Sequence, residues 1–540
     1  MQGELILIMN VSSGLATMAE ILSEIRKRLA YDYGVKRHKV ARRIAFETHS
    51  DLGGIVLELV QNAEDAKATE LIIYVQQEGL RVENNGQPFS ERDLYSLCSF
   101  FASEKGLHSL GFFGVGFKSV LQLTETPYLI SGPFFCKLEG GIDPYPASSD
   151  ELPFIPSLGH TTFWLPWREG VGSDEVERCF LEKLQESGPE MLLFLDSLQK
   201  VKLEGVKNSI LYYTQRDILK KEADLQVMRI IIEGSQPSEW LRLDMFAELP
   251  GEVVSYFLEK HALDEEERKR FSADIQVKVS LVIKIEDGNP VKIEGLAFAG
   301  LPTKKRTGFK FHVCTKFPTN LSREGLRDVQ EDPFGKWLIE RLAELAGRLP
   351  FELKTAGWFK PSMWLVFPAE GEGEGIFKIV EERLLATLRV GKYLYDSFGN
   401  LRSPADVFLA HHATLYELLA SSELEQLSGL SGVDWVYADL RDSRVRKVLK
   451  SVGVREISAE EVICWVERMS CEEEWVKSRP VEWFVKLYCY LNTLRNSKLW
   501  ERIKNLPVVM TRRRQLIRPT EAIFPSEREE LLASKLGNYW

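Results

Sequence analysis

The sequence predicts an α+β protein, and three observations support that fold class. Short runs at 71–75, 128–130 and 162–165 are rich in apolar and aromatic residues and are interpreted as strands. Segments with a helical period precede and separate these runs, so the N-terminal part is predicted as an α/β sandwich of helices on a sheet. Farther along, several strand-like runs come before a single long helix, an order typical of an α+β domain.

Changes of pattern divide the chain into three predicted domains. The first, 1–205, includes a helix predicted over 174–192 and ends where a strand-like run begins a new pattern. The second, 206–350, closes with a helix at 334–348. The third, 351–540, is a mixed α/β region whose charges are scattered, so it is interpreted as a packing or partner surface.

A faint repeat lies in the third predicted domain. Residues 401–408 and 516–523 share a turn and strand, a proline and an acidic residue that is predicted to open a helix. Chance similarity and a true repeat are equally compatible with so short a pattern.

The run at 58–66 carries the most informative pattern in the chain. Glu58, Asn62 and Asp65 are spaced by four and three residues, which places their side chains on one face of a helix. Magnesium prefers hard oxygen ligands, so the amide oxygen of Asn62 and the phosphates of ATP can complete its shell together with waters. One turn earlier, the carboxylate of Glu58 is placed to orient a water and take its proton.

Two later segments complete a predicted nucleotide pocket. Residues 82–89 have the composition of a loop after a strand, and Gly111, Gly114 and Gly116 precede an apolar helical run. Glycines lack the Cβ atoms that would keep backbone N–H groups from phosphate oxygens, and Lys118 adds a positive charge. Each segment alone is equally compatible with an amphipathic helix or an ordinary turn, but all three in this order predict a nucleotide site.

These segments resemble the GHKL superfamily, which includes gyrase B, the ninety-kilodalton heat-shock chaperone, MutL and the sensor histidine kinases. The motifs are most similar to its sacsin and NO VEIN branch. They lie at 61–66, 84–86, 103–105 and 114–120. The resemblance implies a GHKL (Bergerat) α/β sandwich in the first predicted domain and a transducer-like α+β fold in the second.

The resemblance also implies roles for individual residues. Glu58 matches the general base, Asn62 the magnesium ligand, and 102–110 a mobile lid over the phosphates. The implied nucleotide contacts are Asn62, Asp65, Asn84, Gly86, Ser103, Lys105, Gly111, Gly114, Val115, Gly116, Phe117, Lys118 and Thr161. The expected cofactors are therefore ATP and Mg²⁺.

One position departs from the family. Most of the superfamily has an aspartate that accepts a hydrogen bond from the adenine amino group, followed by two spaced glycines. This chain has Asn84, whose carbonyl can accept that bond without the charge that strengthens it, and Pro88 replaces the second glycine. The sequence therefore predicts weaker or less base-selective binding of adenine.

Transducer domains of the superfamily commonly send a Lys or Arg to the terminal phosphate. Lys304, Lys305 and Arg323 are the candidates in this chain. Arg323 is favoured as a catalytic residue because a guanidinium can bind phosphate through two hydrogen bonds. The alternative for all three is an ordinary solvated loop charge.

Composition limits the class of partner and compartment. The formal net charge of -10 and the pI near 5.6 argue against a surface that mainly neutralises nucleic-acid phosphates. The seven cysteines occur singly, without a Cys-x-x-Cys pair, which favours a reducing cytoplasm. The apolar run at 5–9 is too short to span a membrane, so no membrane association is expected.

These features together predict a cytoplasmic, slow, magnesium-dependent ATPase with a chaperone-like role. ATP would close the lid, dock the second domain onto the phosphates and reshape the C-terminal region for an unknown protein client or partner. A homodimer is compatible with this interpretation. Two alternatives remain open: a nucleotide-binding scaffold without turnover, and an ATP-gated clamp in DNA processing or defence.

Overall fold

The computed structural model describes residues 2–34, 37–48, 52–99, 116–234, 236–260, 276–319, 325–326, 329, 331–511 and 514–522. Contacts between residues divide the chain into two compact units, 1–384 and 385–540. No helix within the described ranges has the length and apolar character needed to cross a membrane.

The first unit combines helices with many strands. Its helices are α1 Gln2–Tyr33, α2 Arg37–Thr48, α3 Gly54–Asp65, α4 Glu91–Cys98, α5 Ser173–Ser187, α6 Gly251–Lys260 and α7 Pro333–Thr355, and α8 Lys378–Val390 runs across the division. Its strands are β1 Glu70–Val75, β2 Gly79–Asn84, β3 Tyr128–Ser131, β4 Phe134–Glu139, β5 Asp143–Pro146, β6 Thr161–Pro166, β7 Lys200–Glu204, β8 Ser209–Lys221, β9 Leu225–Glu233, β10 Ser238–Glu248, β11 Gln276–Glu286, β12 Asn289–Pro290, β13 Leu296–Ala299, β14 Leu301–Arg306 and β15 His312–Cys314. The predicted α+β class is confirmed.

These strands form one mixed sheet. Its order is β14-β13-β15-β11-β10-β9-β8-β7-β1-β2-β6-β3-β4-β5, and β12 pairs with β11. Strand β7 pairs in parallel with β1 and antiparallel with β8, so the sheet continues past the boundary predicted near residue 205. The two predicted domain boundaries themselves stay predictions.

The core around the N-terminal strands is built from helical and strand periodicity. In α1, Met18, Leu22, Ile25 and Leu29 recur at helical intervals and are buried with apolar residues of α3, β1 and β2. Burying a side chain of this size contributes about 1.5–3 kcal/mol. This packing fixes α3 against the sheet.

The single helix predicted over 174–192 is wrong. Helix α5 ends at Ser187, Gly188 adopts a φ of +64°, and a separate 3₁₀ helix covers Pro189–Leu192. A left-handed glycine followed by proline ends a helix because proline has no N–H to donate.

The second unit consists of short helices and strands. Its helices are α9 Leu415–Leu418, α10 Ser421–Ser428, α11 Ser443–Ser451, α12 Ala459–Met469, α13 Glu473–Ser478, α14 Val481–Thr493 and α15 Trp500–Ile503. Its strands are β16 Leu394–Tyr395, β17 Leu401–Arg402, β18 Val407–Ala410, β19 Asp434–Trp435, β20 Arg455–Ile457, β21 Val509–Met510 and β22 Leu516–Ile517. Strand β18 lies between β19 and β20, and both pairs are parallel.

The two similar segments of this region have the same local structure over their described residues. Hairpin β16–β17 leads into a 3₁₀ helix at Pro404–Asp406, and hairpin β21–β22 leads into one at Pro519–Glu521. In both copies the acidic residue that ends the 3₁₀ helix accepts a backbone N–H three residues earlier, at 3.2 Å. The same hairpin and turn therefore occur twice.

Candidate functional site

Helix α3 buries part of its polar side as well as its apolar side. Its apolar side chains enter the core, and these are Ile55, Val56, Leu59, Val60 and Ala63. The remaining arc is polar, yet Glu58 is only 6% exposed, Gln61 1% and Glu64 5%. Buried polar groups require hydrogen-bond partners, so this polar arc needs partners from outside the helix.

The face predicted from the spacing of Glu58, Asn62 and Asp65 forms as expected. All three residues lie within α3 on the polar arc, with Glu58 buried and the other two half-buried. Each of the three also interacts with other groups of the protein. Their roles as base, magnesium ligand and nucleotide contact stay predictions.

Glu64 ties α3 to the loop that leads into β7. One of its oxygens accepts the N–H of Asp196 at 2.8 Å, and the other accepts the N–H of Leu198 at 2.7 Å. Both oxygens also lie 3.1 Å from the nitrogen of Ser197. A carboxylate that binds three successive backbone N–H groups fixes the loop to the helix.

Gln61 lies on the same arc between Glu58 and Glu64. Although the side chain is 1% exposed, neither its Oε1 nor its Nε2 has a hydrogen-bond partner in the described part of the chain. Leaving a buried amide without partners costs about 1–3 kcal/mol. This position therefore suits a polar ligand or an ordered water, and the sequence alone gave no reason to choose it.

The loop after β2 is held against the end of α3. Asn85 accepts N–H groups from Thr69 at 2.9 Å and Glu70 at 3.0 Å, and its own Nδ2 donates to Thr69 Oγ1 at 2.7 Å. A Cβ atom on Gly86 would come within 2.6 Å of the carbonyl oxygen of Ala66. Glycine is therefore required at 86 for the loop to lie this close to the helix.

Asn84 and Thr161 are brought together by strand pairing. They lie opposite each other in the antiparallel pair of β2 and β6, so their side chains share a sheet face. The Thr161 Oγ1 lies 2.5 Å from the Ser131 Oγ, which accepts the N–H of Phe89 at 3.0 Å. Ser131 therefore adds a hydroxyl beside Thr161, and the sequence alone did not indicate this serine.

The segment after the predicted glycine turn is a 3₁₀ helix, Gly116–Gln122, rather than a long helix. Phe117 packs on Phe163 with ring centroids 4.8 Å apart. Lys118 is buried and donates to the carbonyl oxygen of Leu97 at the end of α4. Burial lowers the pKa of Lys118 to about 8. Contact of Lys118 with a phosphate stays a prediction.

Several predicted contacts fall outside the described residues. They are Ser103, Lys105, Gly111, Gly114 and Val115, together with Arg323. Their predicted roles therefore stay predictions.

The second predicted domain brings a cation to α3 that the sequence did not single out. Lys316 lies two residues after β15; burial lowers its pKa to about 8, and the carboxylate of Asp65 opposes that shift. Lys304, in contrast, is exposed, with its Nζ 3.8 Å from Glu186 Oε1. Among the described residues, the charge of Lys316 acts on Asp65 of α3 and the charge of Arg216 acts on Glu64 of the same helix.

An ion network that is buried at Arg242 and Asp244 and exposed at Asp196 joins the 196–198 loop to strands β10 and β11. Arg242 donates to Asp244 Oδ1 and Asp196 Oδ1, both at 2.7 Å, and Lys278 also donates to Asp196. Burial lowers the pKa of Arg242, but Asp244 and Asp196 outweigh it and hold that pKa above its ordinary value. Burial raises the pKa of Asp196, but Lys278 and Arg242 outweigh it and hold that pKa well below its usual range.

Strand β11 of this network is also linked to α3 through the residues that follow β15. Thr315 donates to the carbonyl oxygen of Lys278 at 3.2 Å, and the next residue is Lys316, which interacts with Asp65. Helix α3 is thus linked to β11 by hydrogen bonds that begin at Glu64 and by electrostatic attraction between Asp65 and Lys316.

Comparison with known proteins shows that part of this site is similar to a domain of other proteins. Residues 42–149 match the family model described as the Sacsin domain. Over 379 residues the chain is 26% identical to Protein NO VEIN of Arabidopsis thaliana, and the match covers 64% of this chain and 13% of that protein. Over 358 residues it is 24% identical to Sacsin of Homo sapiens, covering 50% of this chain and 8% of that protein. These matches support the predicted similarity to the sacsin and NO VEIN branch, and the chain spans a small part of either relative.

A solved structure of the N-terminal domain of a DNA repair protein is also similar in part. It is 15% identical, covers 38% of this chain and 72% of that chain, and gives a TM-score of 0.24. A TM-score this low assigns neither fold nor function.

Proposed function

We propose that the chain binds ATP with magnesium on the polar arc of α3 and hydrolyses it slowly, with an N-terminal domain of the GHKL (Bergerat) type. The observation that carries this proposal is the buried arc itself, where Gln61 lies between Glu58 and Glu64 and its amide has no hydrogen-bond partner among the described residues. A helix that buries several polar groups, one of them unsatisfied, is the environment expected of a ligand site.

The residues present fit a magnesium nucleotide. Asn62 is half-buried on the arc and offers one amide oxygen, a type of ligand that magnesium accepts when waters and phosphates fill the other positions. Because Gly86 has no side chain, the loop after β2 can lie against the end of α3. The match of 42–149 to the Sacsin domain supports the proposal because that range contains α3, β1 and β2.

The reaction then assigns a task to each residue. Glu58 orients a water and accepts its proton. The amide of Gln61, which no other described residue engages, supplies a hydrogen bond that holds the same water in place. Lys316 provides positive charge from the second predicted domain. Bound magnesium would neutralise phosphate charge.

Lys316 is predicted to act on turnover more than on affinity. Lys316→Ala should lower kcat by about tenfold or more with a smaller change in KM, because this cation contributes mainly when charge develops on the phosphate. The matched control is Lys304→Ala, since Lys304 is exposed and pairs with Glu186. Equal effects of the two substitutions on phosphate release would contradict the assignment.

The pH dependence of kcat/KM gives a second test of Lys316. Because the pKa of Lys316 is lowered to about 8, its charge is present below that pH and is lost as the pH rises through it. The wild-type kcat/KM should therefore fall above about pH 8, whereas Lys316→Arg should not show this fall because guanidinium stays protonated.

The proposal includes a chaperone-like role for a protein client. The two links from α3 to β11, through Glu64 and Asp65, offer a path between the nucleotide and the sheet. A change at the nucleotide would move the strands that belong to the second predicted domain. The net charge of -10 favours a protein client over nucleic acid.

Phosphate release and client protection test the proposed function together. Wild-type protein should release phosphate from magnesium ATP and suppress aggregation of a heated model protein in an ATP-dependent way. Nucleotide binding without phosphate release would favour the scaffold alternative. Salt-sensitive binding of duplex DNA would favour the clamp.

A further inference from the structure

Asn84 presents a different group to a ligand than an aspartate at the same position would present. Its Oδ1 accepts the backbone N–H of Gly86 at 3.0 Å. An amide nitrogen cannot accept this hydrogen, so the turn itself fixes which end of the side chain is oxygen. Among the described residues Nδ2 donates to no protein acceptor, and it is therefore the end that remains for a ligand.

The position of Asn84 makes this orientation relevant to the nucleotide base. Asn84 is 7% exposed, ends β2 and lies opposite Thr161. On the same strand, Leu80 and Val82 share its sheet face and are buried in the core that contains α3. The amide therefore lies on the α3 side of the sheet, where the resemblance places the base.

We propose that Asn84 makes the site prefer a purine with a carbonyl at C6, as in hypoxanthine or guanine, over adenine with its amino group. This inference rests on the proposed nucleotide site. The Nδ2 hydrogens of Asn84 pair with a C6 carbonyl but oppose the hydrogens of an adenine amino group. To accept from adenine, the amide must turn over, which leaves the Gly86 N–H without its acceptor.

An aspartate at the same position would favour adenine instead. Both of its oxygens accept, so one can keep the Gly86 N–H while the other accepts from the adenine amino group. Asn84→Asp therefore preserves the turn and changes only the group presented to the base.

Calorimetric titration with inosine triphosphate, GTP and ATP tests the proposal, because inosine triphosphate has the C6 carbonyl without the 2-amino group of guanine. The wild-type protein should bind inosine triphosphate at least as tightly as ATP. Asn84→Asp should shift the ratio of the two affinities toward ATP by about tenfold or more. Asn85→Asp is the matched control, since Asn85 holds Thr69 and Glu70 and should leave the ratio unchanged.

Two results would overturn the inference, and they are distinguishable. If the wild type prefers ATP about tenfold and Asn84→Asp leaves the ratio unchanged, the base preference is wrong while the nucleotide site stands. If folded wild-type protein, judged by its melting transition, binds none of the three triphosphates, the nucleotide site fails as well.

Discussion

Glu58→Gln should reduce ATP hydrolysis by about a hundredfold to ten-thousandfold while leaving ATP affinity nearly unchanged. Glutamine keeps the size of the side chain and can still hydrogen-bond a water, but it cannot take the proton. Glu58 is buried on the polar arc of α3 beside Gln61, whose amide has no partner in the part of the chain that the structure describes. Bulk water is therefore a poor substitute for Glu58 as the proton acceptor. Phosphate release and calorimetry on the same preparation measure the two quantities.

Glu20→Gln provides the control for this substitution. Glu20 is an exposed carboxylate on α1, so its replacement should change neither turnover nor affinity. If Glu58→Gln keeps wild-type turnover, Glu58 is not the base. A loss of ATP binding in a folded Glu58→Gln protein would instead place this carboxylate among the binding groups.

Arg242→Ala should lower the free energy of unfolding by about 3–5 kcal/mol, the range expected when one partner of a buried ion pair is removed. The substitution removes the cation that donates to the fully buried carboxylate of Asp244. Ser280 at 2.6 Å and Gln226 at 2.9 Å still donate to this carboxylate, and the charge of Lys278 still acts on it. Arg242 also donates to the carbonyl oxygens of Leu193 and Leu195, which would lose that donor. Urea unfolding of the first unit within the full chain measures the change.

A partly exposed ion pair on the neighbouring strands gives the comparison. Arg229 donates to Glu239 at 2.6 Å, and the two side chains are 38% and 23% exposed. Arg229→Ala should therefore cost only about 0–1 kcal/mol. If both substitutions destabilise the protein equally, the buried network is not what holds β10 to the 196–198 loop.

Local patterns in the sequence predicted the polar face of α3 correctly. Glu58, Asn62 and Asp65 lie within one short run, so the helical period alone decides that they share a face. Asn84 and Thr161 were also chosen in the sequence, and the pairing of β2 with β6 brings them together.

Burial and long-range packing explain what the sequence did not reveal. Lys316 and Asp65 are far apart in the chain, and the flanking Thr315 and Phe317 form no recognisable motif. In the sequence Gln61 is not distinguishable from an exposed amide, and only the folded structure shows that it is buried. Such features depend on tertiary structure, which a local period does not encode.

The helix predicted over 174–192 shows a different kind of error. The stop signal was present in the sequence as Gly188 followed by Pro189. The apolar residues Met191 and Leu192 continued the helical pattern beyond it, and the backbone requirements of glycine and proline decided the structure.

Calorimetric titration of ATP with magnesium, repeated after chelation of the metal and with Asn62→Ala, tests most directly whether the polar arc of α3 is a nucleotide site. Saturable binding in the presence of magnesium is expected, with marked weakening by either chelation or Asn62→Ala, because the amide oxygen of Asn62 is the proposed protein ligand of the metal. Absence of binding at millimolar ATP, or binding unaffected by both changes, would contradict the proposed site.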